Sequence, residues 1–366
     1  MKKLFLMLCI MLLITSLSTN IYAEENNFLG NLQEEVKIDN LKNEISQIKS
    51  FEIWKQGKIN FDSVIYDSVG NLKFNLYSVI NDEGVIGYML TDIKTDVIVE
   101  FAIGESPYES YIQRNNEKTI LANNDLKLIK DAGNYFTTEN NFETIENLRL
   151  NSENRNALDA VNSTLEKQSL DIQPLGELIN VTIIKGVPDE YNNGTTPGCG
   201  PVSGINLVKY WDTKGYSNLV LSSDTKQSLY DRLYNSMLSF PVPFSGGQVA
   251  TLPENYGPGL DRFFRSCNAN YGVSVDADYF VSNTDFSKLR TEVNNNRPGT
   301  ILYFGDDEYA QHYVTFVGYC QDLDGQNMYI VRDLWSSTPT DIYRNWNWDA
   351  SVDSELWGLY LIRPYQ

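Results

Sequence analysis

The hydrophobic pattern divides the chain into four stretches. Lys2 and Lys3 precede an unbroken apolar run from Leu4 to Ile14, then small and polar residues to Ala23. A basic start, a short apolar core and a small residue before the cut make a secretory signal peptide. The run is too short for a hydrocarbon layer of about 30 Å, which counts against the competing reading of an uncleaved anchor. The pattern predicts loss of residues 1–23, a secreted or extracellular product, and no stable membrane insertion after cleavage. Residues 24–50 place Leu32, Val36, Ile38, Leu41, Ile45 and Ile48 at roughly helical spacing in an acidic background. Four strand-like runs follow, Ile59–Tyr66, Leu72–Ile80, Val85–Asp92 and Val97–Ala102. The short Gly-, Asn- and Asp-bearing gaps between them favour an antiparallel meander over βαβ units.

Residues 24–123 are therefore expected to form a small helix-plus-antiparallel-sheet domain. Residues 124–178 are polar and rich in Asn and Glu, with one helix-like stretch at Ala157–Gln168, and read as a linker open to proteolysis. From residue 179 to 366 the chain turns apolar and Gly-rich, and this second domain holds the candidate chemistry.

Charge and residue counts narrow the functions. A formal net charge of −19 with no basic cluster disfavours nucleic acid as a partner. The chain has one histidine, His312, and four cysteines, at 9, 199, 267 and 320. Cys9 leaves with the signal peptide, so three remain, and an odd number in an exported protein leaves at least one outside a disulfide. A Cys267–Cys320 bridge is compatible with the sequence, which does not specify it. A multi-histidine metal site is excluded, and no two cysteines are close enough for a compact Cys₃His zinc site. Neither a metal nor a cofactor is implied.

A loop dense in Gly, Pro, Thr and Asn runs through Gly198-Cys-Gly-Pro201 straight into a helical pattern. Pro201 suits a first helical turn, Gly215 a helix end, and Ile205, Leu207, Val208 and Trp211 lie opposite Asn206, Lys209 and Thr213. Cys199 thus sits at a helix N-terminus. There the unpaired N–H groups and the dipole favour a thiolate, and main-chain donors can bind an oxyanion. Gly198 and Gly200 keep side chains away from an approaching carbonyl. The bland reading is an inert buried thiol, the commoner fate of a lone cysteine.

A nucleophilic cysteine needs a base, and His312 opens a strand that continues Tyr313-Val-Thr-Phe-Val-Gly-Tyr319. Beyond the turn-like Cys320–Asn327 comes a second strand, Met328–Arg332, leading to Asp333-Leu-Trp335. As a hairpin these runs carry His312 and Asp333 at the same open end, within a slip of two or three residues. A carboxylate there can hold the imidazole for general-base work. Separately, a strand-start His or a strand-end Asp is ordinary; the convergence of all three residue types points to a triad.

These segments resemble a known group. Gly198-Cys-Gly-Pro-Val-Ser203 with Tyr210-Trp-Asp-Thr-Lys-Gly-Tyr216 resembles the nucleophile helix of C39-like peptidases, of the papain superfamily. His312–Tyr319 and Ile330–Ser336 are similar to its His and Asp segments, in the same order. The resemblance spans about residues 179–366. It implies an α+β papain-like fold, with the nucleophile on an N-terminal helix and the His and Asp on an antiparallel sheet. The N-terminal domain is similar, more weakly, to the propeptide of streptopain-type peptidases. Papain-like enzymes often carry an oxyanion Gln six residues before the Cys; here that position is Asn193, with Asn192 beside it.

The expectation is a secreted cysteine endopeptidase acting on peptide or protein substrates through Cys199, His312 and Asp333, with Asn193 as oxyanion donor. It would be made as a zymogen, the N-terminal domain serving as intramolecular inhibitor. Two rivals stay open: a catalytically silent peptide- or cell-wall-binding domain, and an amidase or transglutaminase-like acyl transferase on the same fold.

Overall fold

A computed structural model describes residues 36–66, 72–108, 181–193, 195–242, 249–279, 281–306, 310–323, 325–335, 338–350 and 356–366. The signal peptide and the 124–178 linker lie outside the described residues. A helix over 36–45 (α1) and a 3₁₀ turn at Lys49–Gln56 lead into strands β1 (Lys58–Tyr66), β2 (Leu72–Asn81), β3 (Gly84–Asp92) and β4 (Ile98–Ile103). The meander follows from its turns. Gly84 adopts φ 124°, and the Asp92 carboxylate accepts from the N–H groups of Lys94 and Thr95, closing the β3–β4 connection.

The chemistry-bearing half supplies β5 (Val181–Ile183), α2 (Cys199–Asp212), α3 (Lys226–Ser236), β6 (Phe240–Pro241), β7 (Val249–Ala250) and α4 (Pro253–Cys267). After these come β8 (Gly272–Tyr279), α5 (Phe286–Asn294), β9 (Gly299–Asp306), β10 (Ala310–Leu323), β11 (Gln326–Arg332), β12 (Ile342–Asn345), α6 (Trp346–Asp349) and β13 (Leu356–Tyr365). The fold is mixed helix and antiparallel sheet. Among the described residues, eleven strands share one sheet, in the order β1-β2-β3-β4-β12-β11-β10-β9-β13-β8, with β5 also on β10. The N-terminal meander therefore has no sheet of its own. Its last strand pairs with β12, Phe101 opposite Tyr343 and Glu100 opposite Arg344, so the two predicted domains share a sheet and one core.

Helix α2 departs from the amphipathic reading. Ser203 and Asn206 are as buried as Ile205 and Leu207, because the helix packs against β10 on one side and α3 and β7 on others. Asn206 is tolerated there by being hydrogen-bonded. Its Oδ1 accepts from the Glu190 N–H at 2.9 Å and its Nδ2 donates to Thr315 Oγ1 at 3.3 Å. Those bonds tie the loop before Cys199, α2 and β10 together. Among the described residues no helix is long and apolar enough to cross a membrane.

Candidate active site

The loop that delivers Cys199 is anchored at both ends to the strands that deliver His312 and Asp333. Ile183 and Thr182 of β5 pair with Gly318 and Tyr319 of β10, and the Ile184 N–H reaches the Val317 carbonyl. Further on, the Asn192 N–H donates to the Leu334 carbonyl at 2.7 Å. Cys199 then opens α2, and the main-chain N–H groups of Tyr313 and Gly200 reach its sulfur. Tyr313 is the neighbour of His312, so the thiol lies against the start of β10.

His312 is fully buried. Its Nε2 lies 2.5 Å from the main-chain carbonyl of Asp333, and its ring stacks on Trp335 at 5.0 Å between centroids and 18° between planes. The Asp333 carboxylate is engaged elsewhere: Oδ1 accepts from the Trp335 N–H at 3.0 Å and from Thr338 Oγ1 at 2.6 Å. The structure sets Cys199 against Tyr313, the neighbour of His312, and sets His312 against Asp333, whose contact with the ring is through its main-chain carbonyl. The hairpin register explains this. Shifts between Phe316 and Gly318 and between Cys320 and Leu323 leave Thr315 opposite Arg332. Carried on, that register sets His312 across from Trp335, two residues past Asp333, because the hairpin closes at Leu323 and Gln326, later in the chain than a turn centred to pair His312 with Asp333. Leu334 then turns the chain with φ 67°, a left-handed conformation costing of order 1–3 kcal/mol for a bulky residue. Its burial and the bond from Asn192 hold it there.

Asn193, the expected oxyanion donor, is tied into a local turn through its side-chain oxygen. It is exposed, and its Oδ1 accepts from the N–H and hydroxyl of both Thr195 and Thr196, forming a local turn. The short side chain favours such Asx bonding over reaching into a cleft. Asn192, one residue earlier, is the buried amide beside the Leu334 turn.

Gly198 and Gly200 also serve a purpose other than access. A Cβ on Gly198 would come 2.9 Å from Val249 Cγ1 and 3.1 Å from the Tyr230 hydroxyl; one on Gly200 would come 2.4 Å from Thr251 Oγ1. The glycines let the β6–β7 ribbon pack directly against the residues flanking Cys199, which is only 6% exposed. Ser239 and Thr251 share a hydroxyl–hydroxyl bond at 2.6 Å, and Tyr313 donates to the Thr251 carbonyl, so the ribbon is fastened down.

This cover reverses the expected electrostatics. Burial pushes the Cys199 thiol up to about 11, while the N–H groups of Tyr313, Gly200 and Cys199 itself pull the other way. A raised thiol pKa keeps the sulfur protonated at neutral pH. Alkylation of Cys199 is therefore expected to be slow at pH 7 and to rise about tenfold per pH unit towards pH 11. A rate that is fast and flat above about pH 6 would instead reveal a preformed thiolate and a ribbon that stands open in solution.

Of these groups, the sequence reading had no signal for Tyr230, Val249 or Thr251, which are remote in the chain and ordinary in type. Trp335 was visible as part of Asp333-Leu-Trp335, without its stacking role. Cys267 and Cys320 are not joined: Cys267 takes a hydrogen bond from Arg232, and Cys320 is buried in β10. Among the described residues no group of three or more His, Cys, Asp or Glu is arranged to hold a metal.

Residues 184–357 match the Peptidase_C39 like family. The matched stretch starts just after β5 and includes α2, His312 and the Asp333 turn. No curated protein matches the chain.

Proposed function

We propose, from the similarity of residues 184–357 to C39-like peptidases, that this chain is a secreted papain-like cysteine peptidase. Cys199 is the nucleophile and His312 its base and then acid. The observation that carries the reading is the meeting of three rare features: the chain's one histidine, a cysteine at a buried helix start, and the Tyr313 N–H on its sulfur. With Nε2 engaged by the Asp333 carbonyl, Nδ1 is the ring nitrogen we assign to the thiol. Nδ1 takes the thiol proton as sulfur attacks the scissile carbonyl carbon. The tetrahedral oxyanion is met by main-chain N–H groups at the head of α2 and by the Asn192 amide. Collapse breaks the C–N bond, and His312 returns the proton to the departing amine. Water, deprotonated by the same imidazole, then cleaves the thioester and releases the acid.

One observation favours a second reading, a domain silent in hydrolysis: the thiol is covered and held protonated. The two separate in one experiment. The purified chain is incubated with an unstructured protein, with and without an amine acceptor, beside an epoxide thiol inhibitor. Peptide fragments together with label on Cys199 are the expected result. Label without fragments supports the silent domain, and amine-capped products point to an acyl transferase.

A further inference from the structure

The N-terminal meander and the catalytic half meet around an ion cluster that neither completes alone. Arg344 of β12 is 1% exposed. It donates from Nη1 to Glu100 of β4 at 3.1 Å, and from Nη2 and Nε to Asp349 of α6 at 2.9 and 3.1 Å. The tyrosines on the N-terminal side, Tyr88 and Tyr108, donate to Glu100 at 2.6 and 3.4 Å, while Tyr329 of β11 donates to Asp349. Removing one partner from a buried charged cluster is strongly destabilising, because it leaves the remaining charge uncompensated. Around the cluster, Phe101 stacks on Tyr343 at 4.8 Å, Phe51 meets the same ring edge-on at 5.1 Å, and Asn345 Nδ2 donates to the Ile98 carbonyl at 2.7 Å.

The cluster also connects to the site. β12 pairs with β11, which leads directly into Asp333. Gly104, just past the end of β4, faces Pro339, the neighbour of the Thr338 that holds the Asp333 carboxylate. Among the described residues, the groups lying against Cys199 come instead from α2, α3, β10 and the ribbon, all within the C-terminal half. A detachable inhibitor would show the converse: contacts in the cleft and a polar, separable interface.

We propose that residues 36–108 are a permanent part of the catalytic domain, a positioning element that stays bound after any cut between Tyr108 and Val181. They close the edge of β12 and hold the strand pair bearing Asp333 against His312, in place of the dissociating inhibitor that the sequence suggested. The positioning role rests on the peptidase reading; the association does not.

The test uses the full chain with a sequence-specific endoprotease site inserted in 124–178, cut after purification and run on a sizing column. The two pieces are expected to co-elute in native buffer, with no gain or loss of kcat relative to the uncut chain. Separation in native buffer, with the C-terminal piece keeping or gaining activity, would overturn the proposal. Co-elution of an inactive protein would leave the association standing and sink the peptidase reading alone. In the cut chain, Glu100→Gln is expected to lower the urea concentration at which the pieces part. In the uncut chain it should lower kcat with KM unchanged and shift the NMR titration of His312. An unchanged urea midpoint would overturn the role given to the ion cluster, and an unchanged imidazole titration would overturn the role in positioning.

Discussion

Cys199→Ala is expected to lower peptide hydrolysis by about 10⁴-fold or more while the protein stays folded. The fold should survive because the change removes a single sulfur atom at a helix end. Ala at this position keeps the main chain of α2 and the approach of Val249 and Thr251 to the flanking glycines. Activity should not survive, because the Cβ of Ala offers no nucleophile and no acyl-enzyme can form. Cys267→Ala and Cys320→Ala are the controls. Cys320 is fully buried in β10, so its loss should cost stability on the order of 1–2 kcal/mol through the cavity left behind, with kcat/KM retained. Hydrolysis and urea midpoints measured on the three variants separate these outcomes. Retained hydrolysis in Cys199→Ala would end the cysteine-peptidase reading.

Local chemistry was legible in the chain, and long-range pairing was not. The strands β1 to β4 could be read to within a residue or two because glycine and Asx turns separate alternating apolar runs, and both signals are local. That β4 would then pair with β12 could not be read. Glu100 and Arg344 lie far apart in sequence, and nothing in either strand names its partner. Asn206 misled for a related reason. A polar residue on a helix normally marks the wet face, and only the tertiary bonds to Glu190 and Thr315 make it a core residue. The glycines beside Cys199 mark a demand for space in the sequence, and the structure adds that Val249, Tyr230 and Thr251 stand where their side chains would be. Main-chain N–H groups at the head of α2 do pull the Cys199 thiol pKa down. Burial outweighs that pull.

His312→Ala is expected to lower kcat by roughly 10²–10⁴-fold, the range of a positioned general base, and Asp333→Asn to change it little. The contrast follows from which atom of residue 333 meets the ring. Nε2 is held by the Asp333 main-chain carbonyl, which asparagine supplies equally. The carboxylate oxygen serves the turn, accepting from the Trp335 N–H and the Thr338 hydroxyl, and an amide oxygen can accept both bonds. A carboxylate acting directly on the imidazole would predict the reverse, a large loss in Asp333→Asn through loss of the correct tautomer. Asp333→Ala differs from both, since it releases the turn at Leu334 and with it the stack of Trp335 on the imidazole. It should therefore fall between the other two, with part of the loss appearing in stability. Because the chain has one histidine, NMR of that single imidazole follows each variant without assignment ambiguity. Its titration should be nearly unmoved in Asp333→Asn and displaced in Asp333→Ala. An Asp333→Asn enzyme as impaired as His312→Ala would restore the carboxylate as the orienting group and show that the carbonyl contact belongs only to the closed form.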